Sequence, residues 1–150
     1  MKQELDEKLV KAFPILYRDR NKDMRQTCMV WGFSHDDGWF DIIWELSEKL
    51  ETIAKLQPAP KEGEEDTRLV AVQVKEKFGG LRFYTHNSTE EAEAAIDEAE
   101  QKAGKTCETC GQIGSLRSRQ GWLITLCNKD WKAYKKERGD KEDEENKETK

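Results

Sequence analysis

Long hydrophobic runs are missing from this chain, and other shortages narrow what it can be. No stretch approaches the roughly eighteen consecutive apolar residues of a membrane span, and Met1-Lys2-Gln3-Glu4-Leu5-Asp6 lacks the basic-then-apolar layout of a secretory signal. A cytoplasmic protein with no membrane partner is therefore expected. The four cysteines are too few and too clustered for a disulfide framework, with Cys28 far from the other three, and they suit a reducing compartment. Neither of the two histidines, His35 and His86, is followed two residues later by the glutamate that zinc deaminases use. Only 35% of the residues are hydrophobic against 38% charged, so the apolar ones must be concentrated in a few segments if a core is to offset chain entropy. At 150 residues, one modest domain with an appendage is expected.

The apolar residues are indeed concentrated. Leu5, Leu9, Ala12, Phe13 and Leu16 recur at helical spacing, with Pro14 set to kink or restart the helix. Residues 18–25 are almost wholly polar and read as a solvated connection, followed by Cys28–Phe33 as a packed apolar loop with Cys28 buried. Asp36 or Asp37 can cap the next helix, whose face is traced by Trp39, Ile42, Ile43, Leu46, Leu50 and Ile53. Two of the three prolines fall in 57–66, an exposed loop. Two β-prone runs flank Gly79-Gly80 and predict a hairpin that turns there, with Lys75, Lys77 and Arg82 on one face and Phe78 or Phe83 on the other. A capping box at Ser88 and Glu91 opens a helix with a stripe of Ala92, Ala95, Ile96, Ala99 and Ala103, ended by Gly104.

Cys107 and Cys110 form a C-x2-C pair, and sixteen residues later Cys127 and Asp130 form C-x2-D. This spacing suits two knuckles closing one tetrahedral zinc site, with Asp130 where a fourth cysteine would stand. Carboxylate oxygen is an acceptable zinc ligand, so a structural Zn2+ held by Cys107, Cys110, Cys127 and Asp130 is the leading reading. Three alternatives stay open: Asp130 capping a helix near Trp131, Cys28 or a histidine completing the set, and a metal-free segment held by Trp122, Leu123, Leu126 and Trp131.

The expected architecture is α+β: amphipathic helices on a small antiparallel sheet over 1–104, a zinc-ribbon-like segment over 105–138, and a disordered charged tail over 139–150. The net charge of −5 is uneven, because residues 1–101 carry 14 basic against 22 acidic side chains, while 102–138 carry 9 against 3. Arg117, Arg119, Lys129, Lys132 and Lys135, interleaved with Trp122, therefore form a candidate surface for nucleic acid or an acidic partner, with Lys75 and Arg82 of the hairpin as a second patch.

Met24–Met29, Trp31-Gly32-Phe33, Gly38-Trp39, the run Gln73–Tyr84 with its Lys-Phe-Gly-Gly-Leu-Arg-Phe-Tyr core, Thr106–Gly111, Gly121-Trp122 and Thr125-Leu126-Cys127 together resemble a family of small uncharacterised bacteriophage and bacterial proteins that end in a zinc-ribbon-like segment. The likeness spans roughly residues 24–131. In that family the last pair usually reads C-x2-C, so Asp130 is a departure. The resemblance implies a phage or prophage origin, and a host bacterial cytoplasm, without implying an activity.

Three functions are weighed. The first is a non-enzymatic accessory protein that binds a host protein or nucleoprotein, with inhibition of host defence as a special case. The second is direct nucleic-acid binding by 102–138. The third is a metal-assisted hydrolase using the zinc or His35, Asp36 and Asp37.

Overall fold

The longest apolar stripe forms the helix at the centre of the molecule. Ile43, Leu46, Leu50, Ile53 and Ala54 return every three or four residues, and in a computed structural model of the chain, which describes residues 1–140, they are buried along one face of α2 (Phe40–Leu56). Trp39, fully buried, ends the short 3-10 turn before it. α1 (Gln3–Ala12) packs its Leu9 into the same core and stops before Pro14, which opens a new turn. The small-residue stripe of α3 (Glu90–Ala103) lets that helix lie close against α2 and the sheet. Its cap is Thr89, one residue past the expected Ser88, with the Thr89 hydroxyl accepting from the Ala92 N–H.

The sheet of the body has three strands in the order β1-β2-β3: β1 (Phe33–Ser34), β2 (Val70–Lys77) and β3 (Gly80–His86). β2 and β3 form the expected antiparallel hairpin, and Phe33 and Ser34 add a two-residue parallel edge to a segment otherwise folded as a packed turn. The turn lies one residue earlier than the Gly-Gly pair suggested, with positive φ at Phe78 (54°) and Gly79 (80°), while Gly80 already belongs to β3. Val74, Leu81 and Phe83 face the core, and Lys75, Lys77 and Arg82 face outward as expected.

Two features of the first half depart from the sequence reading. Residues 18–21 form a 3-10 turn rather than a solvated link, because the Arg18 guanidinium donates to the carbonyls of Ile15, Asp66, Arg68 and Leu69 and ties the loop before β2 to the end of the α1 region. Cys28 is exposed rather than buried.

A buried carboxylate on α2 holds the chain just after Pro14. Glu51 is 3% exposed and accepts from the N–H groups of Ile15 (3.0 Å) and Leu16 (2.7 Å). Replacing Glu51 by alanine strands two buried donors, and the expected loss is about 3 kcal/mol, read as a lower urea midpoint. Glu51→Gln keeps an acceptor and should lose less.

The C-terminal unit follows α3 directly. A tight turn at 107–111 leads into a two-stranded hairpin, β4 (Ser115–Arg119) and β5 (Trp122–Leu126), and then α4 (Asn128–Glu137). The fold is thus α+β with a cysteine-rich C-terminal cluster. From residue 141 on, the expected charged tail lies outside the described residues.

Candidate metal centre

The two halves of the cluster are built differently. Cys107 and Cys110 sit on a knuckle: Gly111, at φ 79°, sends its N–H back to the Cys107 carbonyl, and the Cys107 N–H bonds the Gln112 carbonyl. The second pair is not a knuckle but the start of α4. Cys127 is the N-cap residue, its sulfur accepting from the Asp130 N–H at 3.4 Å, and Asp130 stands in the first turn. A helix N-terminus favours negative charge, which suits the Asp130 carboxylate in the first turn.

The four side chains converge. Asp130 Oδ2 lies 3.2 Å from Cys107 Sγ and 3.3 Å from Cys127 Sγ, the Cys110 and Cys127 sulfurs are 3.7 Å apart, and all four ligand atoms fall within 4.8 Å of one another. A tetrahedron with zinc–sulfur arms of about 2.3 Å has edges of about 3.8 Å, so the sulfur pair already stands at the spacing of a shared ion. That separation is also far beyond a disulfide bond, and all four cysteines are free. Of the alternatives raised by the sequence, His35, His86 and Cys28 are not in the cluster, and Asp130 turns its carboxylate toward the sulfurs.

The electrostatics are those of the Cys107 and Cys110 thiols gathered around one carboxylate. Burial first, then the Asp130 carboxylate, pushes the Cys107 thiol up, while the Asp130 contact pushes Cys110 up to about 12. Hydrogen bonds from Cys110 and Cys107 hold Asp130 below the usual carboxylate range. A divalent cation in the middle reverses this logic, favouring the thiolates outright.

Little else holds the unit together. From residue 105 on, only Cys107, Glu108, Thr125 and Leu126 are buried among the described residues, and α4 buries none. Of the residues that would hold a metal-free segment, Leu126 is buried and Leu123 and Trp131 are half-buried, whereas Trp122 is 62% exposed. What remains is docking on the body. The Gly38 N–H donates to the Glu108 carbonyl (2.7 Å), Trp39 Nε1 donates to the Thr106 carbonyl (2.9 Å), and the Thr125 hydroxyl donates to the Gly79 carbonyl (2.7 Å). Sequence reasoning missed Gly38 and Glu108 as docking residues, because their pairing spans seventy residues of chain and leaves no local pattern.

The candidate partner residues separate into two groups. Arg117 donates to the Leu126 carbonyl and Asn128 Oδ1, and Arg119 makes a paired contact with Asp140, so both brace the hairpin against α4. Lys129, Lys132 and Lys135 lie on α4, with the Lys135 ammonium 5.7 Å from the Trp131 ring, and that ring stacks on Tyr134. Trp122, Ile124 and Tyr134 line a groove of about 790 Å³ between hairpin, α4 and body, closed at one lip by Asp36, Glu76 and Glu108. Lys75 and Arg82 stand apart on the outer face of the body sheet.

The residues weighed for hydrolysis do not form an acid–base set. His35 is 5% exposed, its Nδ1 is engaged by the Asp36 carbonyl, and Nε2 has no hydrogen-bond partner among the described residues, while the Asp37 carboxylate accepts from the Lys2 N–H. Burial, opposed by Asp36 and Asp37, lowers the His35 pKa from 6.5 to about 4. The neutral ring is therefore the folded form, and its stabilising contribution, full above pH 6.5, is lost as pH falls through 4. In urea titrations the parent should therefore lose about 3 kcal/mol more than His35→Gln across that window, while Glu108, whose burial raises its pKa to about 7, titrates in the opposite sense in both proteins.

No helix among the described residues is long and apolar enough to cross a membrane. No family model matches the chain, and no curated protein or solved structure matches it either.

Proposed function

We propose that Cys107, Cys110, Cys127 and Asp130 hold one zinc ion in a closed structural site, and that the protein is a non-enzymatic binding module of phage type that engages a host protein or nucleoprotein in the bacterial cytoplasm. The observation that carries the reading is the convergence of four ligand atoms in a unit with almost no apolar core of its own. A metal supplies the missing cohesion, as in other small metal-bound units. Four protein ligands fill a tetrahedron and leave no position for a reacting water, which favours a structural role over hydrolysis. Inhibition of a host defence or nucleic-acid-processing assembly fits such a module.

Cysteine at position 130 tests the ligand role of the aspartate. If Asp130 is a ligand, Asp130→Cys keeps or tightens zinc and Asp130→Ala weakens it at least tenfold, measured by competition with a chromogenic chelator. Equal zinc affinity in all three proteins would remove Asp130 from the site. Capture of partners from a bacterial lysate with the zinc-loaded protein tests the binding role. A second reading, direct nucleic-acid binding by 102–138, draws on Lys129, Lys132 and Lys135 along α4 beside the stacked Trp131 and Tyr134.

A further inference from the structure

The outer face of the body sheet is unlike the rest of an otherwise acidic body. The strand register turns Ser34, Gln73, Lys75, Lys77, Arg82 and Tyr84 outward, and none of the six is buried. No aspartate or glutamate shares that face, and among the described residues no carboxylate pairs with Lys75, Lys77 or Arg82. Aromatic rings alternate with the cations: the Lys75 ammonium lies 5.9 Å from the Tyr84 ring and the Lys77 ammonium 5.5 Å from the Phe78 ring. Four residue steps separate Tyr84 from Gly80 beside the turn, a platform about 13 Å long.

Phe78 is the telling residue. It occupies the first central position of a two-residue turn at φ 54°, where asparagine or glycine is favoured and a bulky side chain is strained, yet its ring is 70% exposed. Neither turn geometry nor core packing explains a phenylalanine there. A ring presented to solvent at the tip of a cationic sheet is what base stacking uses.

We propose that this face binds single-stranded nucleic acid, with Phe78 and Tyr84 stacking on unpaired bases and Lys75, Lys77 and Arg82 contacting the phosphates. Duplexes are a poorer fit, since their bases are already stacked and closed to the rings. An acidic protein surface would satisfy the lysines and arginine but leave the exposed rings without flat partners. The inference rests on the binding-module reading and names the ligand class, while placing it on the sheet instead of the metal-held unit.

The test is fluorescence anisotropy of the full, zinc-loaded chain with labelled oligothymidylate and oligouridylate, which separate deoxyribose from ribose preference. Single strands should bind more tightly than a duplex of equal length, with a log–log salt slope of about −2 for three cations, reduced by about 0.7 in Arg82→Gln. Phe78→Asn is the decisive variant because asparagine suits the turn: its melting temperature should equal or exceed that of the parent while affinity falls about tenfold. Unchanged affinity in Phe78→Asn, equal binding of duplex, displacement by poly-glutamate as effective as by oligonucleotide, or loss of binding only when Lys129, Lys132 and Lys135 are replaced would each overturn the proposal. Zinc content is measured on the same samples. A failure confined to the sheet leaves one zinc per chain and any lysate partner intact, and so is distinguishable from failure of the binding-module reading.

Discussion

Stripping the metal with a strong chelator should unfold the C-terminal unit while leaving the body folded. The asymmetry follows from where the apolar burial lies. The body core contains Trp39, Tyr17, Leu9, Leu16, Met29, Ile43, Leu50, Leu69 and Leu81, all under 2% exposed, whereas among the described residues from 105 on only Cys107, Thr125 and Leu126 are buried to that extent. Structural zinc contributes roughly 10 kcal/mol or more to the folding of small metal-bound units, far above what one leucine and four docking hydrogen bonds can replace. Hydrogen exchange is the suitable readout: amides of β4, β5 and α4 should lose protection after chelation, while those of α2 and β2 keep it. Cys107→Ser should reproduce the effect without chelator. Retained protection in α4 after complete metal removal would mean that packing, and not metal, holds the unit.

Gly38→Ala should be among the most damaging single substitutions in the body. A Cβ at this position would meet the Cys107 carbonyl oxygen at a separation incompatible with van der Waals contact, with the Glu108 carbonyl equally close. Both are backbone atoms of the knuckle, so relief requires the Cys107–Gly111 turn to move away from the body. That movement also breaks the bond from the Gly38 N–H to Glu108 and disturbs the Asp36 N–H contact to the Glu108 carboxylate. The expected loss is about 3 kcal/mol, a fall in melting temperature of about 10 °C for a chain of this size. Zinc should also leave faster, because the knuckle is displaced with its two sulfurs. Gly63→Ala is the control: nothing lies within 4 Å of its Cβ, so only the strain of its φ of 81° applies, about 1 kcal/mol. Equal effects of the two substitutions would show that docking at Gly38 is not tight.

The elements most legible in the sequence are those whose signal is periodic. The face from Trp39 to Ile53 and the alanine stripe of α3 are buried as their spacing predicts, with only Ile42 and Ala95 half-buried at the margins, because a helix repeats its core contacts every turn. The same periodicity contained a clue that went unused: Ser47 and Glu51 fall on the buried side of α2, so a polar partner across the core was implied. Where several residues can do one job, the reading slips by one. Thr89 replaces Ser88 as cap, and Phe78 takes the strained turn position that Gly79-Gly80 seemed to claim.

Long-range pairings were not legible. Arg18 reaching four carbonyls and Glu108 meeting Gly38 depend on the assembled fold, and residue type alone suggested solvent for Arg18. The cluster was legible as a set because two ligands lie within each short segment. Its construction was not, since the second segment is a helix start in which one residue both caps and donates sulfur. Arg117 and Arg119 add a further pairing that residue type does not reveal, since both guanidiniums brace the hairpin against the α4 segment.

The most direct test of the central claim is native mass spectrometry of the chain purified without added metal, paired with elemental analysis. One zinc per chain, retained through desalting and lost in Cys107→Ser, is the result expected for a site closed by Cys107, Cys110, Cys127 and Asp130. A metal-free chain whose thermal unfolding is the same with zinc, with chelator and with neither would contradict it.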